Sequence, residues 1–300
     1  MDLTVSGWRV YFPNGASSFY FHPFTEADFN RAITTCDETF GVEPPFIKSV
    51  GKLFGLNMHC APLTRRPDRS LVTHARFTTR TCDETFGVEP PFIKSVGKLF
   101  GLNMHCAPLT RRPDRSLVTH ARFTTRFNSS LDSMIPAIHN TELTTLPIIC
   151  TPPHWNANQR NDVNVDVLQE FEKDAYVMVC NIPGPVHYRY LYFLRHLTRT
   201  MTNGKRSVSF VMTIANSEAN QRSRIAEDQH NDVHWVQEGG TFMTLTEVDD
   251  AVDLIYDHWA SCQDEQHAQN LFIQWAQYVL RRTQTIIPSR FLESQSKVVC

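Results

Sequence analysis

The sequence predicts an α/β fold with a Rossmann-like, mostly parallel sheet that is closed by a C-terminal helical hairpin. Three observations favour this class. Short apolar runs at residues 146–150, 175–180 and 208–214 are typical of central strands that are buried on both faces. Segments with helical spacing of apolar residues alternate with these runs, as in parallel sheets with crossover helices. The last fifty residues carry two further amphipathic segments, which predict the helical hairpin.

Elements near the N-terminus follow from turn and capping signals. Residues 8–22 predict a hairpin around Pro13, Asn14 and Gly15. Thr25 and Asp28 form a capping box for a helix that carries Phe29 and Ile33. Further elements are a helix at 93–100, a strand at 102–106, an arginine-bearing loop, a strand at 117–123 and a helix at 128–138.

The remaining elements complete the predicted core and tail. Residues 165–173 and 188–199 are predicted helices, and they alternate with the strands at 175–180 and 208–214. Thr246 with Asp249 predicts the cap of a helix that runs to Trp259, and a second helix carries Leu271, Trp275 and Val279. The predicted units are an N-terminal hairpin and helix (1–34), the first copy of a repeat (35–80), an α/β core (81–216) and a C-terminal helical region (217–300).

That repeat is an exact tandem duplication, because residues 35–80 recur without change as residues 81–126. Each 46-residue copy carries seven basic and four acidic residues, so the formal net charge of −2 combines a basic repeated segment with an acidic remainder. Two identical copies do not fit a solenoid, which needs three or more stacked repeats. We expect one copy to be a redundant insertion and the other to occupy the native place. The first copy is the predicted insertion, although the sequence alone does not identify the native copy.

Composition bounds the class of protein. With 300 residues, 41% hydrophobic and 20% charged, the chain has the profile of a folded globular protein and not of a collagen-like, coiled-coil or disordered one. The chain shows no signal-peptide pattern, no apolar run long enough to span a membrane and no CxxC pair among its eight cysteines. We therefore expect an intracellular protein without a membrane partner.

Several segments, taken in order, resemble the cap-adenosine N6-methyltransferase family, also called the phosphorylated-CTD-interacting factor family. They are residues 90–110, the asparagine at 128, the strand and loop at 146–155, and residues 208–216. The resemblance implies an RNA adenosine N6-methyltransferase that uses S-adenosylmethionine. By the same resemblance, Asn128 orients the adenine N6 and Trp155 helps to form the base pocket. The residues that border the cofactor would be Cys106, Ala107, Pro108 and Leu109.

The sequence departs from the family at the catalytic motif, where Ser129, Ser130 and Leu131 replace Pro-Pro-Phe after Asn128. This departure implies impaired catalysis, or a pseudoenzyme. An alternative alignment places the motif at residues 89–92, with glutamate in place of asparagine.

A basic loop, with Arg111, Arg112 and Arg115, would contact RNA phosphates in such an enzyme, or it is a solvated surface loop.

Two further interpretations remain open. His230, Asp232 and His234 alternate as metal ligands on a strand can, with His258 or His267 as a third histidine, but their polar surroundings are typical of a loop, and we predict no metal site. The second class of function is a non-catalytic structural or interaction protein, such as a shell or scaffold subunit, which associates through its aromatic C-terminal helices.

Overall fold

A computed structural model describes residues 6–40, 56–60, 64–65, 71–72, 75–79, 96–99, 102–106, 109–111, 117–139, 146–172, 174–201, 204–227 and 232–286, and within residues 56–99 it describes the backbone only. The strands in this part of the chain are β1 (Trp8–Val10), β2 (Phe19–Phe21), β3 (Leu56–Cys60), β4 (Thr64–Arg65), β5 (Leu71–Val72), β6 (Ala75–Thr79), β7 (Val96–Leu99), β8 (Leu102–Cys106), β9 (Thr110–Arg111), β10 (Leu117–Phe127), β11 (Asn164–Glu172), β12 (Ala175–Ile182), β13 (His187–Thr200), β14 (Arg206–Ala215), β15 (Val233–Trp235), β16 (Gly239–Val248) and β17 (Ala251–Cys262). The helices are α1 (Glu26–Phe40), α2 (Leu131–His139), α3 (Glu218–Glu227) and α4 (Glu265–Ile286).

One large antiparallel sheet organises the described residues. Its strand order is β11-β12-β13-β14-β16-β17-β10-β8-β7, and β15 and β9 pair with β13 and β10 beside this path. Every pair along the path is antiparallel, and β15 alone pairs in parallel. The predicted Rossmann-like, mostly parallel sheet is therefore wrong. Short turns join β11 to β12 and β16 to β17, and such turns produce antiparallel neighbours without a crossover helix.

Three predicted helices of the core are strands. The described part of the predicted helix at 93–100 is β7, residues 165–173 fall largely in β11, and residues 188–199 lie in β13. Tyr188 to Phe193 are all buried, because helices cover both faces of the sheet at this point. A segment that is apolar on both faces lacks the alternation that distinguishes a strand from a buried helix.

The predicted C-terminal helical hairpin is also wrong, because its first helix is the strand β17. Asp249 has a φ angle of 53°, and with Asp250 it forms the turn between β16 and β17. A residue at positive φ suits a tight hairpin turn, so the pair Thr246 and Asp249 is not a helix cap. Val252, Leu254 and Tyr256 are buried at alternate positions of β17, as a strand requires.

Residues 146–150, predicted as a central strand, are irregular. Side chains of the surrounding elements form hydrogen bonds with backbone groups of this segment. The Ile149 amide donates to the Tyr190 hydroxyl at 3.0 Å, and His258 Nε2 donates to the Ile149 carbonyl at 3.0 Å. Further along, His267 Nε2 donates to the Thr151 carbonyl at 2.7 Å. The Ile149 amide, the Ile149 carbonyl and the Thr151 carbonyl therefore have side-chain partners in place of a strand neighbour.

Helix α4 covers one face of the sheet. Its residues Leu271, Phe272 and Trp275 are at most 2% exposed and pack in one cluster with buried tyrosines of β13 and β17. The His258 ring stacks on Trp275 with 4.1 Å between centroids. No described helix is long and apolar enough to cross a membrane.

The opposite face is covered by α1 and the N-terminal hairpin, and α3 packs on the hairpin. The predicted hairpin is present, with β1 and β2 antiparallel, and the predicted cap of α1 is confirmed by a 3.1 Å bond from the Asp28 amide to Thr25 Oγ1. At the end of α1, Phe40 stacks on Trp259 at 4.4 Å. Gly240 admits this Trp259 ring, because a Cβ there would lie 2.3 Å from the indole.

The two copies of the duplication occupy different places. The second copy supplies β7 to β9 and β10 as far as Arg126, all of which belong to the large sheet. The first copy supplies the end of α1 and the strands β3 to β6, which form two separate two-stranded sheets. The division of the chain into four predicted units stays a prediction.

A buried ion pair joins β10 to β17. Arg122 and Asp257 lie opposite each other in the register, and Arg122 Nε and Nη2 each donate to one carboxylate oxygen at 2.8 Å. His120 Nε2 lies 3.0 Å from the same carboxylate. Asp257 is fully buried and Arg122 is 6% exposed, so the two charges compensate each other away from water.

Removing this carboxylate should destabilise the protein strongly. We expect Asp257→Ala to lower the free energy of unfolding by about 3–5 kcal/mol, because it leaves the Arg122 charge buried and unpaired. The measurement is urea unfolding followed by tryptophan fluorescence. Asp253→Ala is the matched control, because Asp253 binds Arg126 across the same two strands at an exposed position. Equal losses in the two variants would contradict the role of burial.

Acid pH should also destabilise the fold. Burial lowers the pKa of His258 well below its usual value and lowers the pKa of His267. Such histidines bind protons more readily when unfolded, so their stabilising contribution is complete above about pH 6.5 and is lost as the pH falls toward the folded-state pKa. We expect the free energy of unfolding to fall by up to about 1.4 kcal/mol per pH unit for each histidine, as measured by urea unfolding at several pH values.

A substitution of His258 tests whether this residue causes the pH dependence of stability. His258→Gln keeps a side-chain donor for the Ile149 carbonyl but does not titrate, so it should flatten the dependence. A wild-type slope in the His258 variant would remove His258 as the cause.

Candidate anion-binding site

Two buried arginines lie beside one indole ring. Arg189 is 1% exposed and Arg224 is 8% exposed. The guanidinium carbons of Arg224 and Arg189 lie 4.0 Å and 5.4 Å from the centroid of Trp235. Guanidinium groups at such distances are attracted by the negative face of an aromatic ring. We call Arg189 and Arg224 the arginine pair.

Strands of the large sheet and the N-terminal hairpin position Arg189. Arg189 lies in β13, opposite Trp235 in the parallel pairing with β15 and opposite Asn181 in the antiparallel pairing with β12. Its Nε donates to Asn181 Oδ1 at 2.8 Å. The hairpin places Phe12 under the guanidinium, with its ring centroid at 4.0 Å, and Phe19 at 5.7 Å.

Helix α3 brings Arg224 to the same place. The buried Asn220 fixes this helix to the hairpin, since its Nδ2 donates to the His22 carbonyl at 2.7 Å and its Oδ1 accepts from the His22 amide at 2.9 Å. Ser223 Oγ lies 2.7 Å from His22 Nε2 and adds a third contact. Arg224 is thereby held over Trp235.

The site contains donors without acceptors. Arg224 Nη1 donates to Asn216 Oδ1 at 3.4 Å, a long hydrogen bond. Four other buried nitrogens have no hydrogen-bond partner among the described residues: Arg189 Nη2, Arg224 Nε, Arg224 Nη2 and Asn181 Nδ2. A buried donor that is left unsatisfied costs about 1–3 kcal/mol, and more when the group is charged.

Both arginines carry their charge in a poorly solvated place. Burial lowers the pKa of Arg189 and of Arg224 to about 10, and the neighbouring Arg224 lowers the pKa of Arg189 further while Asp232 raises it. At neutral pH both groups are still protonated. In the described part of the chain no carboxylate forms a salt bridge with either of them. Two positive charges are thus buried together, and the nearby Asp232 acts on Arg189 without forming a salt bridge.

This chemistry suits an anion. Guanidinium groups have no acceptor and present forked donors that match the oxygens of a carboxylate or a phosphate. The sequence analysis missed the arginine pair, because Arg189 lay inside a predicted aromatic helix and Arg224 stood in a polar segment without a motif. Only the neighbouring Asp232 and His234 had been noted, as metal ligands.

The two predicted catalytic residues are not brought together. Asn128 is exposed at the end of β10, next to Phe127, which pairs with Val252 at the start of β17. Trp155 follows the segment that is bonded to α4, beyond the other end of β17. At about 3.3 Å per residue, β17 separates these two regions by roughly 30 Å.

Of the remaining predicted site residues, those that the structure describes lie on or beside strands distant from β13 and the arginine pair. Cys106 is buried at the end of β8, where burial raises the pKa of its thiol to about 12, and Leu109 is half-buried. Arg111 is exposed in β9. The other predicted positions, Ala107, Pro108, Arg112 and Arg115, lie outside the described residues. The individual roles given to these residues, and S-adenosylmethionine as cofactor, stay predictions.

The methyltransferase resemblance, and the RNA adenosine methyltransferase function built on it, are nevertheless wrong. They required strands 117–123, 146–150 and 208–214 side by side in a parallel sheet, with the site at their carboxyl ends. In the structure two of these segments are antiparallel-sheet strands separated by β16 and β17, and the third is irregular. The scaffold interpretation relied on a helical hairpin that is a strand and one helix.

The metal interpretation gains no support. In the described part of the chain no three histidine, cysteine, aspartate or glutamate side chains are placed to hold a metal ion. His230 lies outside that part. His258 is not available as a ligand, since it bonds Tyr256 and the Ile149 carbonyl.

Comparisons with known proteins add no family. No family model and no curated protein matches the chain. The STAR-related lipid transfer protein from Xanthomonas axonopodis is similar over 64% of this chain and 94% of that chain, with 9% identity and a TM-score of 0.38. The lipid transfer and protein localization domain of human StarD13 covers 63% and 85%, with 8% identity and a TM-score of 0.40. Human STARD10 covers 92% and 85%, with 8% identity and a TM-score of 0.37. Likenesses of this strength carry no functional argument.

Proposed function

We propose that the protein binds a ligand with an acid group, a carboxylate or a phosphate, at the arginine pair. The observation that carries the proposal is the set of four buried nitrogen donors without acceptors around Trp235. An acid group beside Trp235 would accept hydrogen bonds from Arg189 and Arg224 and neutralise their charge. Charge-assisted hydrogen bonds of this kind are among the stronger ones in proteins.

The other buried arginine of the sheet supports this proposal. Arg122 donates hydrogen bonds from Nε and Nη2 to the two carboxylate oxygens of Asp257. The arginine pair has no such internal partner among the described residues, although it is as deeply buried. Buried charges in proteins are ordinarily paired, and an external anion supplies the missing partner.

Exposed apolar side chains flank the site along the chain. Tyr11 is 73% exposed, Val186 is 42% exposed and Ile225 is 70% exposed. They are the chain neighbours of Phe12, His187 and Arg224. An acid group can belong to a small solute or to an amphiphile, so both kinds of probe are tested.

Anion binding should raise thermal stability in a way that depends on Arg224. The probes are sodium phosphate, acetate and decanoate, each compared with sodium chloride at the same ionic strength. A ligand at 100 times its dissociation constant stabilises the native state by about 2.7 kcal/mol. We expect stabilisation by at least one probe, measured as the shift in melting temperature, and its loss in Arg224→Met.

Arg222→Met is the matched control, because Arg222 lies on the same helix but is exposed and pairs with Glu218. This variant should keep the wild-type response. A response to phosphate and acetate indicates a small solute, and a response to decanoate alone indicates an amphiphile. Equal responses in all three proteins, or no response to any probe, would overturn the proposal.

The arginine pair should reduce stability when no ligand is bound. Arg224→Met removes a buried, uncompensated charge and keeps the length of the side chain. Replacement of buried ionic groups by apolar ones of similar volume is often neutral or stabilises by about 1–4 kcal/mol. We expect the variant, in an anion-poor buffer, to unfold at a urea concentration equal to or above that of the wild type. A clear loss of stability would indicate a structural role.

The predicted intracellular location is part of this proposal. The cysteines whose side chains the structure describes are free and buried thiols, at positions 36, 106, 150, 180 and 262. A reducing compartment keeps thiols in that state.

A further inference from the structure

The two copies of the duplicated segment share the same backbone pairing. In the second copy Cys106, His105 and Met104 pair with Ala121, Arg122 and Phe123. In the first copy Cys60, His59 and Met58 pair with Ala75, Arg76 and Phe77. The short strands agree as well, since Thr110 and Arg111 pair with Val118 and Leu117 as Thr64 and Arg65 pair with Val72 and Leu71.

Only one copy contacts the rest of the sheet through these strands. In the second copy β10 lies against β17, where Arg122 bonds the buried Asp257. The first copy contains the same residues in the same order, and it pairs Arg76 with His59 as the second copy pairs Arg122 with His105. It therefore has the residues that the second copy uses against β17.

Both copies of the duplicated segment contribute elements to the observed fold. Residues 35–40 of the first copy end α1, where Phe40 stacks on Trp259. The strands that pair with β17 come from the second copy. The chain therefore changes from one copy to the other between the helix and the sheet, and the identical residues of the two copies do not themselves set the place of this change.

The residues after each copy distinguish the two arrangements. Arg126 is followed by Phe127, which is buried and continues β10 opposite Val252. Arg80 is followed by Thr81. With the first copy in the sheet, the redundant 46 residues would interrupt this strand before Phe127, so the observed arrangement is favoured by the contacts at one strand end.

We propose that the position of β8 to β10 in the sheet is a binding site for either copy, and that the first copy occupies it when the second is weakened. The exchange takes place within one chain, where the tether holds the competing hairpin at a high effective concentration. Two packings of one sequence that differ by a small free energy form a bistable element. The proposal does not depend on anion binding.

The test compares four variants of the full chain by their urea midpoints. Arg76→Ala should leave the midpoint unchanged, because Arg122 keeps the bond to Asp257. Arg122→Ala should lower it by less than half of the shift seen in the double variant, because Arg76 takes the place of Arg122. The double variant and Asp257→Ala should show the full loss, since no guanidinium–carboxylate bond can then form.

Hydrogen–deuterium exchange identifies the copy in the sheet. In the wild type the peptides around positions 76 and 122 have the same mass, and a single substitution makes them distinguishable. In Arg122→Ala the slowly exchanging peptide should be the one that carries Arg76, and in Arg76→Ala the one that carries Arg122.

The proposal is overturned if Arg122→Ala shifts the midpoint as far as the double variant does, or fails to fold. It is also overturned if the peptide with alanine at position 122 remains the slowly exchanging one.

Discussion

Helix α4 packs on one face of an antiparallel sheet, and the rest of the structure depends on this contact. Its apolar face, centred on Trp275, removes the side chains of the central strands from water. The same helix and β17 supply His267 and His258, which bond the backbone of residues 146–151. An irregular segment can therefore stay buried without unpaired peptide groups. Since α1 and the N-terminal hairpin cover the other face, the central strands are buried on both sides.

Buried charged side chains have different partners in two parts of the same sheet. At Asp257 a carboxylate, an arginine and a histidine satisfy one another inside the protein. At the arginine pair, donors of Arg189 and Arg224 have no acceptor in the described residues, and aromatic rings surround them in place of carboxylates. The first arrangement has its partners within the protein. The second leaves donors without acceptors among the described residues, which is the reason for the anion binding that we propose.

The tandem duplication shows which structural features depend on the local sequence and which depend on tertiary contacts. Both copies form the same strand pairs in the same register, so the segment's own sequence determines its hairpin. Their different positions cannot come from their sequences, which are identical. The position in the sheet depends on what precedes and follows each copy, above all on Phe127, which extends β10 only from the second copy.

The sequence by itself determined the locally encoded elements. The cap at Thr25, the N-terminal hairpin, the helix after Asn128 and the strands at residues 102–106, 117–123, 175–180 and 208–214 could be predicted, because caps, turns and short apolar runs act over a few residues. Tertiary structure decided the rest. Residues 188–193 are buried on both faces of the sheet, so their sequence lacks the alternation that distinguishes a strand from a buried helix. Residues 251–262 form a strand because β10 and β16 pair with them on either side. The arginine pair arises only where β13, β15 and α3 meet, since burial of a charged side chain is a property of the assembled fold and of no single segment.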